Sequence, residues 1–177
     1  MEEPVMLSNM ILLFDSYSAD SRRLYDSFRI AGCECSVVVL EYNDFLPEEV
    51  MSVYDMFLGY YGERGRKLGK PKFFNEIAVP DHWSISAGVG ESDYGKITYQ
   101  HEEKGRIYYW DSPKKYRVKE VDWFDRKGAV RFRDHYNRYG AVFARTTFNA
   151  KGQKVCKSYF SATGQEMIVE NFATKDI

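Results

Sequence analysis

Phe124-Asp125-Arg126-Lys127-Gly128, Tyr136-Asn137-Arg138-Tyr139-Gly140, Phe148-Asn149-Ala150-Lys151-Gly152 and Phe160-Ser161-Ala162-Thr163-Gly164 recur at a strict spacing of 12 residues, and Phe172 keeps the phase. Each unit reads as a hairpin turn. An aromatic ring ends one strand, Asp, Asn or Ser opens the turn by bonding backbone amides, and Gly takes the positive-φ position before the next strand. From about Arg117 onward the sequence therefore predicts five consecutive antiparallel strands, a meander suited to binding or scaffolding rather than catalysis.

Side chains in a strand alternate between two faces. Strict alternation through the period places Phe132, Tyr136, Ala144, Phe148, Cys156, Phe160, Ile168 and Phe172 on one face, expected to be buried. The second face then carries Arg131, Arg133 and His135, followed by Phe143, Arg145 and Thr147, then Val155, Lys157 and Tyr159, then Met167, Val169 and Asn171. A basic stripe with interleaved rings suits a partner or acceptor. The candidate binding residues are Arg131, Arg133, His135, Phe143, Arg145, Lys157 and Tyr159. The same face also reads as a solvated one, its cations paired across strands with acids such as Asp134 and Glu120.

Upstream, Phe73–Ile77, Trp83–Ile85, Gly95–Gln100 and Arg106–Trp110 read as further strands, with a loop over Ser86–Gly95. Residues 10 to 58 differ in pattern. Met10-Ile11-Leu12-Leu13-Phe14 has the look of a buried strand, and Ser18 caps a helix with Leu24, Phe28 and Ala31 at helical spacing, stopped by Gly32. Ser36–Leu40 supplies a second buried strand of the kind found in parallel sheets. A short helix is expected around Pro47 to Phe57. Such a β-α-β unit cannot bury itself, so it belongs to a larger doubly wound sheet whose other strands lie outside this chain. Gly59 to Lys72, with Gly59, Gly62, Gly65 and Gly69 among basic residues, reads as a connector rather than a phosphate cradle.

Composition limits the chemistry. Hydrophobic residues at 44%, charged residues at 29% and a net charge of -1 describe a globular chain without a global pull toward nucleic acid or acidic lipid. The 14 Tyr, 12 Phe and 3 Trp favour strands. The three cysteines, Cys33, Cys35 and Cys156, make no disulfide framework, and Cys33-Glu34-Cys35 lacks the spacing of a zinc or redox motif. His82, His101 and His135 are scattered. Asp15, at the carboxyl end of the first strand, reads as a ligand position or a helix cap, and no glycine-rich dinucleotide loop follows that strand. No catalytic constellation, metal site or cofactor is expected, and no nucleic-acid motif is present.

Ile11-Leu12-Leu13-Phe14-Asp15, Phe45-Leu46-Pro47-Glu48, Phe74-Asn75-Glu76-Ile77, Val79-Pro80-Asp81-His82-Trp83, Val121-Asp122-Trp123-Phe124-Asp125, Asp134-His135-Tyr136-Asn137-Arg138-Tyr139-Gly140 and Ile168-Val169-Glu170-Asn171 resemble the N-terminal part of the stabilising subunit of the accessory-Sec protein O-GlcNAc transferase. The resemblance runs over nearly the whole chain. It implies a non-catalytic subunit that pairs with a catalytic, UDP-GlcNAc-using subunit and helps recognise serine-rich repeat adhesins. The three cysteines, with no secretory signal before them, read as a cytosolic, reduced protein, and peripheral association at the inner membrane face is expected through the complex. Met1 to Asn9 is extra to the resemblance, a leader without assigned role.

The expected fold is α+β: a Rossmann-like β-α-β segment over 1–58, then an extended antiparallel meander with 12-residue hairpin repeats over 59–177. The expected function is a non-catalytic interaction module. Two alternatives stay open: the N-terminal portion of an active sugar transferase carrying the same sheet insert, whose catalytic residues would follow Ile177, and a surface repeat protein.

Overall fold

In the computed structural model the described residues are 10–41, 46–47, 49–60, 69–88, 94–110 and 116–172. The leader at 1–9, the connector residues 61–68, residues 89–93 of the 86–95 loop, and Phe45 and Glu48 of the quoted motif lie outside them. The chain forms two compact units, Met1–Arg64 and Gly65–Ile177.

The first unit is a three-stranded parallel sheet in the order β1-β2-β3, made of β1 (Met10–Phe14), β2 (Cys35–Val39) and β3 (Val50–Ser52). Helix α1 (Ala19–Ile30) joins the first two strands and α2 (Val53–Leu58) follows the third. Ser18 caps α1: its Oγ accepts the Ser21 N–H at 3.2 Å, and the Ser21 hydroxyl accepts the Ser18 N–H at 3.3 Å. Tyr25 of α1 packs with Val37, Val39, Leu46 and Val50, and with Leu12 and Phe14. The helix expected over 47–57 is instead strand, then helix. Val50, buried to 1% exposure, extends the sheet, and Ser52 Oγ starts α2 by accepting the Asp55 N–H at 2.9 Å. The first strand is covered on one face only, because Ile11 and Leu13 are 66% and 60% exposed.

The second unit is an eight-stranded antiparallel sheet, with strands side by side in sequence order. They are β4 (Ser84–Ser86), β5 (Tyr94–Tyr99), β6 (Glu102–Tyr109), β7 (Val118–Phe124), β8 (Val130–Tyr136), β9 (Val142–Phe148), β10 (Lys154–Phe160) and β11 (Glu166–Asn171). The strand expected at Phe73–Ile77 is a 3-10 turn, Phe74–Glu76, held by the Glu76 carboxylate accepting the Phe73 N–H at 2.8 Å. That turn lays Phe74, Ile77, Val79 and Trp83 over Ile97, Ile107, Val118, Val121 and Tyr136, forming the unit's core.

The four turns between β7 and β11 share one chemistry. Asp125 Oδ1 accepts the N–H groups of Lys127 and Ala129 at 2.8 and 3.0 Å, and Asn137 Oδ1 those of Tyr139 and Ala141, both at 3.0 Å. Asn149 Oδ1 takes those of Lys151 and Gln153 at 2.9 and 3.0 Å, and Ser161 Oγ those of Thr163 and Gln165 at 3.3 and 3.2 Å. Gly128, Gly140, Gly152 and Gly164 follow at φ of 79°, 77°, 77° and 80°.

After each turn the ladder skips one residue. Trp123 faces Phe132 while Phe124 faces Val130, so Arg131 is extra; Phe143, Val155 and Met167 are extra in the same way in the next three hairpins. These are β-bulges, and one inserted residue moves every later side chain to the other face. The seven candidate residues therefore do not share a face. Without the bulge, continuing the pairing of Tyr136 with Val142 would set Arg133 opposite Arg145. With it, Arg133 faces Thr146 and Arg145 faces Asp134.

Candidate interaction surface

On one face the registers bring together Glu120 and Asp122 of β7, Arg133 and His135 of β8, Ala144 and Thr146 of β9, Lys157 and Tyr159 of β10, and Ile168 and Glu170 of β11. Arg133 binds Asp122 through two parallel bonds, Nε to Oδ1 at 2.6 Å and Nη2 to Oδ2 at 2.8 Å, and it also sits 3.6 Å from Glu120. The bonds to Asp122 raise the Arg133 guanidinium's affinity for its proton against the opposing effect of burial. His135 links Glu120 at 3.1 Å through Nδ1 to Thr146 at 2.9 Å through Nε2. Burial pushes the Glu120 carboxyl up, but the bond to His135 and the nearby positive charges prevail and leave it below the ordinary glutamate value.

Lys157 lies opposite both Thr146 and Glu170, and burial pulls its ammonium below the usual lysine range, against the attraction of Glu170. The Tyr159 hydroxyl donates to Glu170 Oε2 at 3.3 Å, and the Phe143 ring lies 6.1 Å from the imidazole of His135. Phe143 and Tyr159 are buried at 4% exposure each. The other face carries Phe132, Asp134, Arg145, Thr147, Cys156, Ser158, Val169 and Asn171. Arg145 grips Asp134 through Nε at 2.6 Å and Nη2 at 3.0 Å, and the Trp123 indole N–H donates to the same carboxylate at 2.8 Å. Arg131 is exposed, donates to the Phe148 carbonyl at 2.7 Å and lies 5.7 Å from the Phe132 ring centre.

The basic stripe is thus divided, with Arg133, His135 and Lys157 and the rings of Phe143 and Tyr159 on one side and Arg145 on the other, and the arginines pair with acids of the sheet itself. The partners that sequence reading passed over, Asp122, Thr146 and Glu170, carry a signal. Asp122 and Arg133, Asp134 and Arg145, His135 and Thr146, and Tyr159 and Glu170 are all separated by 11 residues. An odd separation marks the residue that each bulge adds, since the Tyr136–Val142 pairing continued without one gives only even separations. A further pair of rings, Tyr94 and Tyr108, continues the first face beyond β7, where Arg106 lies 4.9 Å from the Tyr94 ring centre.

Elsewhere the candidates stay apart. His82 and His101 sit at positive φ in turns, and among the described residues no group of three or more His, Cys, Asp or Glu could hold a metal ion. The Asp15 carbonyl accepts the Glu41 N–H at 2.9 Å. No helix among the described residues is long and apolar enough to cross a membrane.

Comparison with family models matches residues 83–177 to the GtfB middle domain and residues 11–57 to the GtfB N-terminal domain. The chain belongs to the GtfB family. The UDP-N-acetylglucosamine–peptide N-acetylglucosaminyltransferase stabilizing protein GtfB of Streptococcus gordonii is 39% identical over 122 residues, 69% of this chain. Its counterpart in Streptococcus pneumoniae serotype 4 is also 39% identical, over 69% of this chain. The chain spans about a quarter of these relatives, 26% and 25% of their lengths.

Among solved structures, a chain of the GtfA/B complex bound to UDP and GlcNAc is 38% identical, with a TM-score of 0.73, covering 92% of this chain and 35% of that one. The pneumococcal O-GlcNAc transferase GtfA, in complex with UDP and GlcNAc, shares the fold at 11% identity, with a TM-score of 0.59, covering 94% of this chain and 36% of that one.

Proposed function

We propose that this chain is the N-terminal and middle portion of a non-catalytic stabilising subunit that pairs with a UDP-GlcNAc-using protein O-GlcNAc transferase and helps present serine-rich repeat adhesin to it in the cytoplasm. The observation that carries the reading is the 38% identity over 92% of the chain to a subunit of the GtfA/B complex. Residues 1–58 are the start of a Rossmann-like, doubly wound domain, and the open face of β1 at Ile11 and Leu13 is consistent with a layer supplied by further chain. Residues 59–177 form the hairpin-repeat sheet that pairs with the partner.

Within that sheet, Arg131 and Arg145 are the exposed members of the candidate set, and Arg145 already holds Asp134. Arg133, His135, Arg145, Lys157, Phe143 and Tyr159 act by stiffening it, since their charged or aromatic groups are committed to each other and to acids. The sheet needs no cofactor for this role.

The test is co-expression of the full-length protein with the transferase subunit, followed by native mass measurement and an assay of UDP-GlcNAc consumption. The expected result is a stable complex, a raised level of soluble transferase, and no sugar hydrolysis by the full-length protein alone. Turnover by the isolated protein would instead identify an active sugar transferase.

A further inference from the structure

We infer that Thr163, in the turn between β10 and β11, is itself an acceptor of N-acetylglucosamine, modified by the transferase subunit with which this protein pairs. The inference rests on the function proposed above and goes beyond it, because it makes the stabilising subunit a substrate of its own partner. An O-linked transferase acting on peptides needs a Ser or Thr hydroxyl that is exposed, that has a proton to give, and whose peptide can enter a cleft.

The four turns from β7 to β11 share a backbone but not a surface. Those at 125–128, 137–140 and 149–152 carry Arg126 and Lys127, Arg138 and Tyr139, and Ala150 and Lys151. The fourth carries Ser161-Ala162-Thr163, without charge or ring. Its opening side chain also holds least firmly. Ser161 Oγ accepts the Thr163 and Gln165 N–H groups at 3.3 and 3.2 Å, against 2.8–3.0 Å for the Asp and Asn oxygens of the other three. Longer bonds let this turn give way to a cleft more readily than its neighbours.

The Ser161 and Thr163 hydroxyl oxygens lie 2.9 Å apart. A hydroxyl oxygen has two lone pairs and one proton. Ser161 Oγ fills its lone pairs with the two backbone N–H groups, so in the mutual bond Ser161 donates and Thr163 accepts. Thr163 thus keeps its own proton and a second lone pair, on an exposed residue. A Cβ added at the adjacent Gly164 would meet nothing within 4 Å, so there is room for a sugar beside the turn. Because a hairpin turn lies at the end of its strands, strands added alongside β11 extend the sheet without covering it.

Hydroxyls elsewhere are held in other ways. Ser18 and Ser21 cap α1, Ser52 starts α2, and Thr146, 2% exposed, is bonded to His135. Thr147 and Ser158 stand on strands with a paired neighbour on each side.

In the transfer, Thr163 Oγ1 attacks the anomeric carbon of UDP-GlcNAc, the bond from that carbon to the diphosphate oxygen breaks, and UDP leaves with the electron pair. The Thr163 proton passes to the departing diphosphate. The transferase supplies the catalysis and this chain only the acceptor.

The experiment uses the full-length protein assembled with the full-length transferase subunit and incubated with UDP-GlcNAc. Intact mass spectrometry counts N-acetylhexosamines on the protein, and electron-transfer fragmentation of the peptide spanning 161–165 places them. A parallel reaction on a serine-rich peptide reports that the transferase is active. Two variants accompany wild type: Thr163→Val, which keeps the shape and removes the nucleophile, and Ser161→Asn, which restores the residue that opens the turns at 137 and 149. The sugar is expected on Thr163 in wild type and in Ser161→Asn, and its loss is expected in Thr163→Val.

Wild-type protein left without sugar while the peptide is glycosylated overturns the assignment and leaves the proposed function standing. So does a sugar that maps to Ser161 or outside this turn with none on Thr163. If neither the protein nor the peptide gains sugar, the proposed function fails first and this assignment with it.

Discussion

Gly140 and Gly152 occupy equivalent turn positions with the same φ of 77°, yet their surroundings differ, and substituting each by alanine separates backbone strain from packing. A Cβ at Gly152 meets nothing within 4 Å, so Gly152→Ala carries only the cost of a left-handed conformation, about 1–2 kcal/mol. A Cβ at Gly140 would lie 2.5 Å from the Lys70 carbonyl oxygen and 3.4 Å from the Lys72 amide nitrogen. Neither is the end of a movable side chain. The 69–72 segment is itself tied to the sheet, with the Val118 N–H donating to the Lys72 carbonyl at 2.8 Å and the Lys72 ammonium 5.8 Å from the Tyr136 ring centre.

Displacing it adds an overpacking penalty of about 1–3 kcal/mol, so Gly140→Ala is expected to cost roughly 2–5 kcal/mol in all. The assay is urea unfolding of the 177-residue chain followed by near-ultraviolet circular dichroism, which reads the packed aromatic residues of the sheet. Equal losses for the two variants, within about 0.5 kcal/mol, would refute the docking of the 69–72 segment on the β8–β9 turn.

Other perturbations probe the charge ladder and the tight turns. Asp122 is 2% exposed, so Asp122→Ala, which leaves the Arg133 guanidinium only its 3.6 Å contact with Glu120, is expected to cost about 3 kcal/mol, and a double-mutant cycle with Arg133→Ala should return a coupling of about 1–3 kcal/mol in urea unfolding. The same cycle at Asp134 and Arg145, whose arginine side chain is 45% exposed, should give a smaller coupling.

Because the Glu120 carboxyl titrates lower in the folded state than in the unfolded one, its stabilisation is present above the ordinary glutamate value and lost as pH falls through the lowered folded value. Glu120→Gln should therefore flatten the acid limb of a stability-versus-pH curve measured by thermal melting. Gln100 and His101 both have positive φ, 49° and 68°, in the two-residue link between β5 and β6. Replacing His101 by Gly is expected to stabilise by about 0.5–1 kcal/mol, read as a rise in melting temperature.

The division into a small parallel unit and a larger antiparallel one was legible because each rests on local signals: β-branched runs with a Ser-capped helix in one, Asx or Ser followed by Gly in the other. Phe73–Ile77 was misread because a short run with apolar residues at 73, 74 and 77 fits either a strand or the turn that Glu76 closes, and tertiary burial of Ile77 decided between them. The candidate surface was misread for a subtler reason. A bulge leaves no mark on the positions of turn residues, so the 12-residue period survives while the faces exchange. The residue types held the clue all along, since strict alternation would have set Arg133 opposite Arg145, an arrangement of like charges that cross-strand energetics disfavour.

The bulges also give the sheet a grammar for changing length. A side chain returns to the same face only after two hairpins, as Arg133 and Lys157, twice 12 residues apart, do. Gain or loss of a single hairpin would therefore turn over the whole pattern beyond it, exchanging the Glu170 side of β11 for the Val169 side. Lineages that lengthen this sheet while keeping the faces of its later strands should do so in steps of two hairpins.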